Sequence, residues 1–183
     1  MAEARAQMEV NVFGAARLIQ LVLPAMRAQH SGTIVNVTSM GGKITTPLGA
    51  WYHATKFALE AISDCLRMEV APFGIDVVVI DPGGIRTEWG GIAAEKVRAV
   101  SSRGPYAAQG NAVANSLTSE TTRRRSSPPE LIGTTITKGV TTRRPKTRYA
   151  AGYGARPMIV LHGLLPDRAF DAFIRRATSV PST

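Results

Sequence analysis

Two short apolar runs constrain this chain more than any other feature. "TIVNVTS" at 33–39 and "IDVVVID" at 75–81 are continuous and rich in β-branched residues. Such runs belong to strands covered on both faces. Between them, Leu59, Ile62, Leu66 and Val70 recur at three and four residues, which predicts a long helix over 52–71. "PFG" at 72–74 breaks it. A buried strand, a helix and a second buried strand require parallel pairing through a right-handed crossover, so the fold class is α/β.

The flanks extend this pattern. Val10, Phe13, Leu18, Leu21 and Val22 carry helical spacing within 3–28, closed by "HSG" at 30–32. Residues 90–126 are rich in Ala, Ser, Thr, Asn and Gly and read as a mobile segment with one helix near 92–100. "SSPPELIG" reads as a helix start, with Ser127 as cap, prolines in the first turn and Glu130 at the positive end. "TRYAAG" at 147–152 reads as a last strand, and the rest as an apolar segment followed by a short amphipathic helix.

At 183 residues the chain is long enough for one domain with its own core. Asn11, Arg17, Gln20 and Pro24 interrupt the apolar stretch 10–26, which reads as a buried helix and not as a membrane span. The lone Cys65 reads as a small core residue. It rules out an internal disulfide framework, and with no secretory signal visible the expected location is cytoplasmic. The net charge of +9 is concentrated: residues 121–148 carry eight basic and one acidic side chain. A single-strand nucleic-acid binder interleaves such charge with aromatics, and only Tyr149 lies close by. The segment therefore reads as a solvated loop and helix end, with an acidic partner or an anionic membrane surface as the lesser alternative.

The chemistry lies in "SMGGKITTPLGAWYHATKFALEAI", residues 39–62. Tyr52 and Lys56 are four apart and share a helix face. An ammonium beside a phenol favours the phenolate, so Lys56 is expected to draw the Tyr52 pKa toward neutrality and suit it to acid/base work on a carbonyl or alcohol. Ser39 ends a parallel strand, where open α/β sheets place ligands. Chance supplies roughly 0.1 Tyr–Lys pairs at this spacing in such a composition, and below roughly 0.01 once a Ser must stand thirteen residues earlier. Lys43 reads as a solvated loop residue. His30, His53 and His162 are scattered and give no metal-ligand spacing.

These motifs resemble the short-chain dehydrogenase/reductase family. The resemblance covers residues 5–90 strongly and continues loosely to the end. It rests on "NVFG" with Asn11, "IVNVTS" with Ser39, "YHATK" with Tyr52 and Lys56, and "PGGIRT" from Pro82 to Thr87. It implies the C-terminal half of a Rossmann-like doubly wound parallel sheet, about three strands with flanking helices. Residues 1–89 would be the catalytic core, 90–126 a substrate lid, and 127–183 a C-terminal helix, last strand and tail. It further implies NAD or NADP as cofactor, with Tyr52 as acid/base and Lys56 holding the nicotinamide ribose. Ser39 would orient the substrate oxygen, and Asn11 would kink its helix and support a water. Val37 and Thr38 would line the cofactor, and Pro82, Gly83, Ile85 and Thr87 would approach the carboxamide. Trp89 would touch the substrate. Family members pair through helices corresponding to 3–28 and 53–71, which implies a homo-oligomer. "RPKTRYAAGYGARP" and "LLPDRAFD" loosely resemble members acting on steroid- and retinol-type substrates, implying a small hydrophobic alcohol or ketone.

One departure is large. The family's TGxxxGxG turn, which sets a helix N-terminus under the pyrophosphate, is absent, as is an NNAG-like segment. The expectation is an N-terminally incomplete copy with weakened cofactor affinity and an exposed edge at strand 33–39. The alternative is a catalytically impaired module that pairs with a complete relative.

Overall fold

A computed structural model describes residues 1–181; the last two residues of the expected tail lie outside the described residues. Three strands, β1 (Gly32–Val37), β2 (Ile75–Pro82) and β3 (Arg148–Ala151), form one parallel sheet in the order β1-β2-β3. Gly32 pairs with Ile75 and Val37 with Ile80, while Val79 pairs with Arg148 and Pro82 with Ala151. β2 is central, and Val78, Val79 and Ile80 are fully buried.

Alternation along the strands assigns each face. On one side Ile34, Ile75 and Val77 pack with Ile19 of α1 (Ala2–Ala28) and with Leu66 and Val70 of α2 (Ala50–Val70). On the other, Val78, Ile80 and Tyr149 pack with Val35. This second face is covered by Ile132 and Ile136 of a later helix, Glu130–Thr141. Helices on both faces of a parallel sheet make the doubly wound arrangement expected from the sequence.

Three helices fill the segment expected to carry one: α3 (Trp89–Ser101), α4 (Ala107–Thr118) and α5 (Glu120–Arg125). The composition, rich in small residues, hid them because Ala94 and Ala114 let α3 and α4 approach closely with little apolar bulk. α6 (Glu130–Thr141) follows, then β3, α7 (Ala155–Leu164) and α8 (Asp167–Ala177). Ser127 does not cap α6. Pro129 holds that position, and the Ser127 backbone instead bridges the turn after β2, donating to the Gly84 carbonyl and accepting from the Arg86 amide. The apolar segment expected near the end is the helix α7 and the short amphipathic helix after it is α8; their Met158, Leu161, Phe170 and Ile174 enclose Ile44.

Two burial expectations fail for one reason. α1 is not a buried helix: only Ala4, Val12 and Ile19 are buried, while Val10, Phe13, Leu18 and Leu21 face outward. The sheet stops at β1, so among the described residues no further strand or helix covers that side. By length and apolar composition alone α1 could also cross a membrane. Cys65 is exposed, because Leu59, Ser63, Leu66 and Val70 take the buried stripe of α2 and leave it on the opposite face.

Truncating the centre of this sheet is expected to be severe. Ile80→Ala should cost about 2–5 kcal/mol, whereas Phe13→Ala, at an exposed position, should cost within about 0.5 kcal/mol. Urea unfolding midpoints of the two variants check this, and equal losses would contradict the burial pattern.

Candidate active site

The site forms where β1 and β2 end and α2 begins. β1 stops at Val37, and the chain then turns through a short 3-10 segment, Met40–Gly42. Ser39 caps that turn, its Oγ accepting from the Gly41 amide at 3.0 Å. The same hydroxyl lies 3.5 Å from the Pro82 carbonyl at the end of β2, so Ser39 spans both strand ends.

Tyr52 sits in the first turn of α2, within interaction range of the Ser39 hydroxyl. Burial pushes its phenol above the usual tyrosine range, and Ser39 draws it partly back. This direction is opposite to the one expected from the Tyr–Lys spacing. The reason is where the ammonium goes. Lys56 lies 6.0 Å from the centre of the Tyr52 ring and donates to the Val37 carbonyl at 3.2 Å. Burial lowers the Lys56 pKa as well. Tyr52 is therefore protonated at neutral pH. Trp89 packs against it, the ring centroids 5.2 Å apart, which puts the expected substrate contact beside the expected acid.

Asn11 lies in a π-helical turn, Glu9–Gly14, inserted in α1. Such turns are uncommon and concentrate at functional sites. Asn11 Nδ2 donates to Thr55 Oγ1 at 3.2 Å, and Thr55 Oγ1 donates to the Tyr52 carbonyl at 2.8 Å. The kink expected in this helix is thus a local change of winding that ties α1 to the first turn of α2.

The remaining expected residues divide. Val37 is 39% exposed and, with Asn11, Asn36 and Lys56, lines a groove of about 410 Å³ between α1 and the open edge of β1. Thr38 faces the other way. It is 3% exposed, and its hydroxyl meets Glu60 and Asp81 inside the protein. Strand alternation explains this, since Thr38 shares the α2 face with Ile34 and Asn36. The Gly83 and Gly84 amides are committed to the carbonyls of Ala151 and Tyr153, both at 2.8 Å. A Cβ on Gly83 would stand 2.3 Å from the Tyr153 carbonyl, so this turn needs glycine for the chain's own close approach. Ile85 packs over Gly152, and Thr87 is exposed, accepting from the Trp89 amide at 3.4 Å.

His53 and Lys43 were missed as structural residues. The Thr46 amide donates to His53 Nε2 at 3.0 Å, so Nδ1 carries the proton and donates to the Gly41 carbonyl at 2.8 Å. This neutral ring pins the loop 40–49 to α2. Lys43 is not simply solvated, since it pairs with the buried Glu60 at 2.8 Å. Nothing in the local sequence marks either role, because each partner is set by the loop's path.

Fold and site together define part of a doubly wound α/β sheet with a serine, a tyrosine and a lysine gathered where its strands end, and comparison with known proteins gives the family. The model for short chain dehydrogenases matches residues 1–97, just over half of the chain. An oxidoreductase of Schizosaccharomyces pombe is 33% identical over 168 residues, covering 91% of this chain and 68% of its own length. The oxidoreductase YbbO of Escherichia coli is 36% identical over 176 residues, covering 94% and 60%. A crystal structure of a short-chain dehydrogenase from Streptomyces avermitilis superposes with a TM-score of 0.73 at 29% identity, covering 98% of this chain and 62% of that one. A short chain dehydrogenase from Burkholderia cenocepacia, solved with NADP, gives 0.56 at 26% identity over 93% and 58%. The chain belongs to the short-chain dehydrogenase family. It spans 58–68% of the length of these relatives.

Burial lowers the His53 pKa, partly opposed by the Gly41 carbonyl. A depressed folded-state pKa contributes stability above the unfolded value, about 6.5, that is lost as pH falls through the folded one. The ring is expected to titrate below about 6.5 in the folded protein. Protonation should release the Thr46 amide, with the Thr46 and Gly41 resonances moving at the same midpoint in NMR titrations.

Proposed function

We propose that this chain carries the catalytic half of an NAD- or NADP-dependent oxidoreductase that interconverts a hydrophobic alcohol and its carbonyl. The observation that carries the reading is the convergence of Ser39, Tyr52 and Lys56 from a strand end, a helix start and one turn further on. In carbonyl reduction, Tyr52 gives its proton to the substrate oxygen while the Ser39 hydroxyl holds that oxygen in place. In alcohol oxidation the proton returns to Tyr52. A nicotinamide supplies or accepts the hydride when bound.

The residues present fit one end of that cofactor. Among the described residues, Lys56 makes one hydrogen bond, to Val37. An ammonium has three donors, so two are left for ribose hydroxyls at the mouth of the groove. The residues do not fit the other end: the sequence holds no glycine-rich turn for a pyrophosphate. Trp89 and the start of α3 stand over Tyr52, which supports a lid role for 90–126 and an apolar substrate.

A second reading is favoured by a separate observation. Val10, Phe13, Leu18 and Leu21 on α1 and Trp51, Phe57 and Met68 on α2 are exposed, and the outer edge of β1 is unpaired. Open edges and apolar faces of this kind are pairing surfaces. They support association through α1 and α2, with a second copy or with a longer relative.

The discriminating experiment measures oxidation of NADH and NADPH by the 183-residue chain with a panel of hydrophobic ketones. Tyr52→Phe is expected to lower turnover by roughly 10²–10⁴-fold with cofactor binding kept, and Lys56→Gln to weaken cofactor binding. Tyr52→Phe at wild-type turnover would refute the assignment. No turnover at all, together with concentration-dependent association that Phe13→Lys abolishes, would favour the second reading.

A further inference from the structure

A cluster of charged and hydroxyl groups lies directly beneath the site, and its hydrogen atoms do not balance if every carboxyl is ionised. Thr38 Oγ1 is 2.5 Å from Glu60 Oε1, 2.6 Å from Asp81 Oδ1 and 3.1 Å from the Ile80 carbonyl. A hydroxyl carries one proton. At these distances both carboxyl contacts are hydrogen bonds, so Thr38 can donate to only one of the two. The other oxygen faces it lone pair to lone pair unless that carboxyl brings a proton of its own. All three side chains are buried, so bulk water does not relieve the clash.

The surrounding cations decide which carboxyl is protonated. Glu60 pairs with Lys43 at 2.8 Å and with Arg148 at 2.9 Å. Arg148 also pairs with Asp64, which Arg67 contacts from the same helix. Among the described residues no ammonium or guanidinium pairs with Asp81. The ionised partner is therefore Glu60 and the neutral one Asp81.

We propose that Asp81 is a neutral carboxylic acid near neutral pH and that the run Asp81–Thr38–Glu60 is a positioning network for the site. Asp81 donates to Thr38, and Thr38 donates to the Glu60 carboxylate. Thr38 immediately precedes Ser39, Asp81 immediately precedes Pro82, and Glu60 lies one turn beyond Lys56. One shared proton thus joins the three segments that carry the site. The charged groups bearing on Asp81 are Glu60 from α2 and Lys43 from the loop 40–49. Burial and the neighbouring Glu60 lift Asp81 to about 7, against the opposing pulls of Thr38 and Lys43. Burial also works to raise Glu60, but the neighbouring Asp81 acid and the bonds to Lys43, Thr38 and Arg148 outweigh that and hold it below the usual carboxylate range. The proton stands independently of the proposed reaction; its effect on Ser39 rests on that reading of the site.

The sign of the pH dependence follows. The folded state keeps the Asp81 proton to about 7, while an unfolded chain releases it near 4. This group's contribution to stability therefore declines as pH rises from about 4 to about 7 and is level above. His53 acts in the opposite sense below about 6.5, so the Asp81 contribution is read as the difference between wild type and Asp81→Asn. Asparagine keeps a donor toward Thr38 and cannot titrate.

The direct test uses the wild-type chain with carboxyl-labelled aspartate. One carboxyl carbon is expected to titrate near 7, and the amide resonances of Ser39 and Gly83 to shift at the same midpoint. An infrared band of a protonated carboxyl should persist at about pH 6, two units above the ordinary range, and be absent from Asp81→Asn. The variant should also lose the decline in stability over that interval. All aspartates titrating below about 5 would overturn the proposal, with no variant needed. A carboxyl titrating near 7 while the Ser39 and Gly83 amides stay still would overturn the positioning role. Loss of cofactor turnover without change in these titrations would count against the proposed reaction alone.

Discussion

The interface between α2 and the sheet is the constraint on which the rest of the molecule depends. Along it the chemistry changes in steps of one helical turn. Val70 and Leu66 meet Ile34, Ile75 and Val77 in an apolar layer. Ser63 then accepts from Asn36 at 2.8 Å. One turn on, Glu60 meets Thr38, Asp81 and Arg148, and beyond it Lys56 and Tyr52 reach the surface. The apolar layer supplies the burial that holds helix to sheet. The polar layers add little net stability, because each buried group gives up hydration to make its bond. They specify register instead: a slip of α2 would leave Asn36, Thr38, Asp81 or Glu60 buried without a partner, at about 1–3 kcal/mol each. Among the described residues no buried side-chain polar atom lacks a partner.

Much of the fold was legible because its signals are local. Both buried strands and α2 came from runs and periodicities inside windows of seven to twenty residues. The placement of Ser39, Tyr52 and Lys56 came from strand end, loop length and helix face, which short spacings encode. The Thr38–Glu60–Asp81–Arg148 cluster was not read, since its hydrogen bonds join residues 22 to 88 apart. A signal did exist. Alternation puts Thr38 with Ile34, Asp81 with Val77, and Arg148 opposite in phase to Tyr149, all on the α2 face, and Glu60 continues the stripe of Val70, Leu66 and Ser63. Continuous apolar strands hide that alternation, because both faces are buried and hydrophobicity no longer distinguishes them. The π-helical turn at Glu9–Gly14 was foreseen only as a kink borrowed from the family, since nothing in "EVNVFG" forbids an ordinary α-helix. The lone Cys65 and the apolar α1 were misplaced because composition cannot say which face of a helix has a neighbour.

The same geometry explains how the groups of the proposed reaction stay in place beside an open sheet edge. The proposed catalytic groups are held by contacts within residues 11–82, and those contacts close on themselves. Asn11 is tied to Thr55 and through it to Tyr52, Ser39 to Pro82, and His53 to the loop 40–49. The groove beside them is bounded on one side by α1 and on another by a strand edge that, among the described residues, no other strand pairs. An unpaired parallel edge next to an apolar helix face costs free energy in water and gains it from any strand that docks there. In the proposed reaction, proton transfer by Tyr52 needs only the first set of contacts, while tight hold on a dinucleotide would need the second side of the groove. The two requirements are therefore physically separable. A chain built this way keeps Tyr52 and Ser39 in place even where the proposed grip on a cofactor depends on what fills that edge.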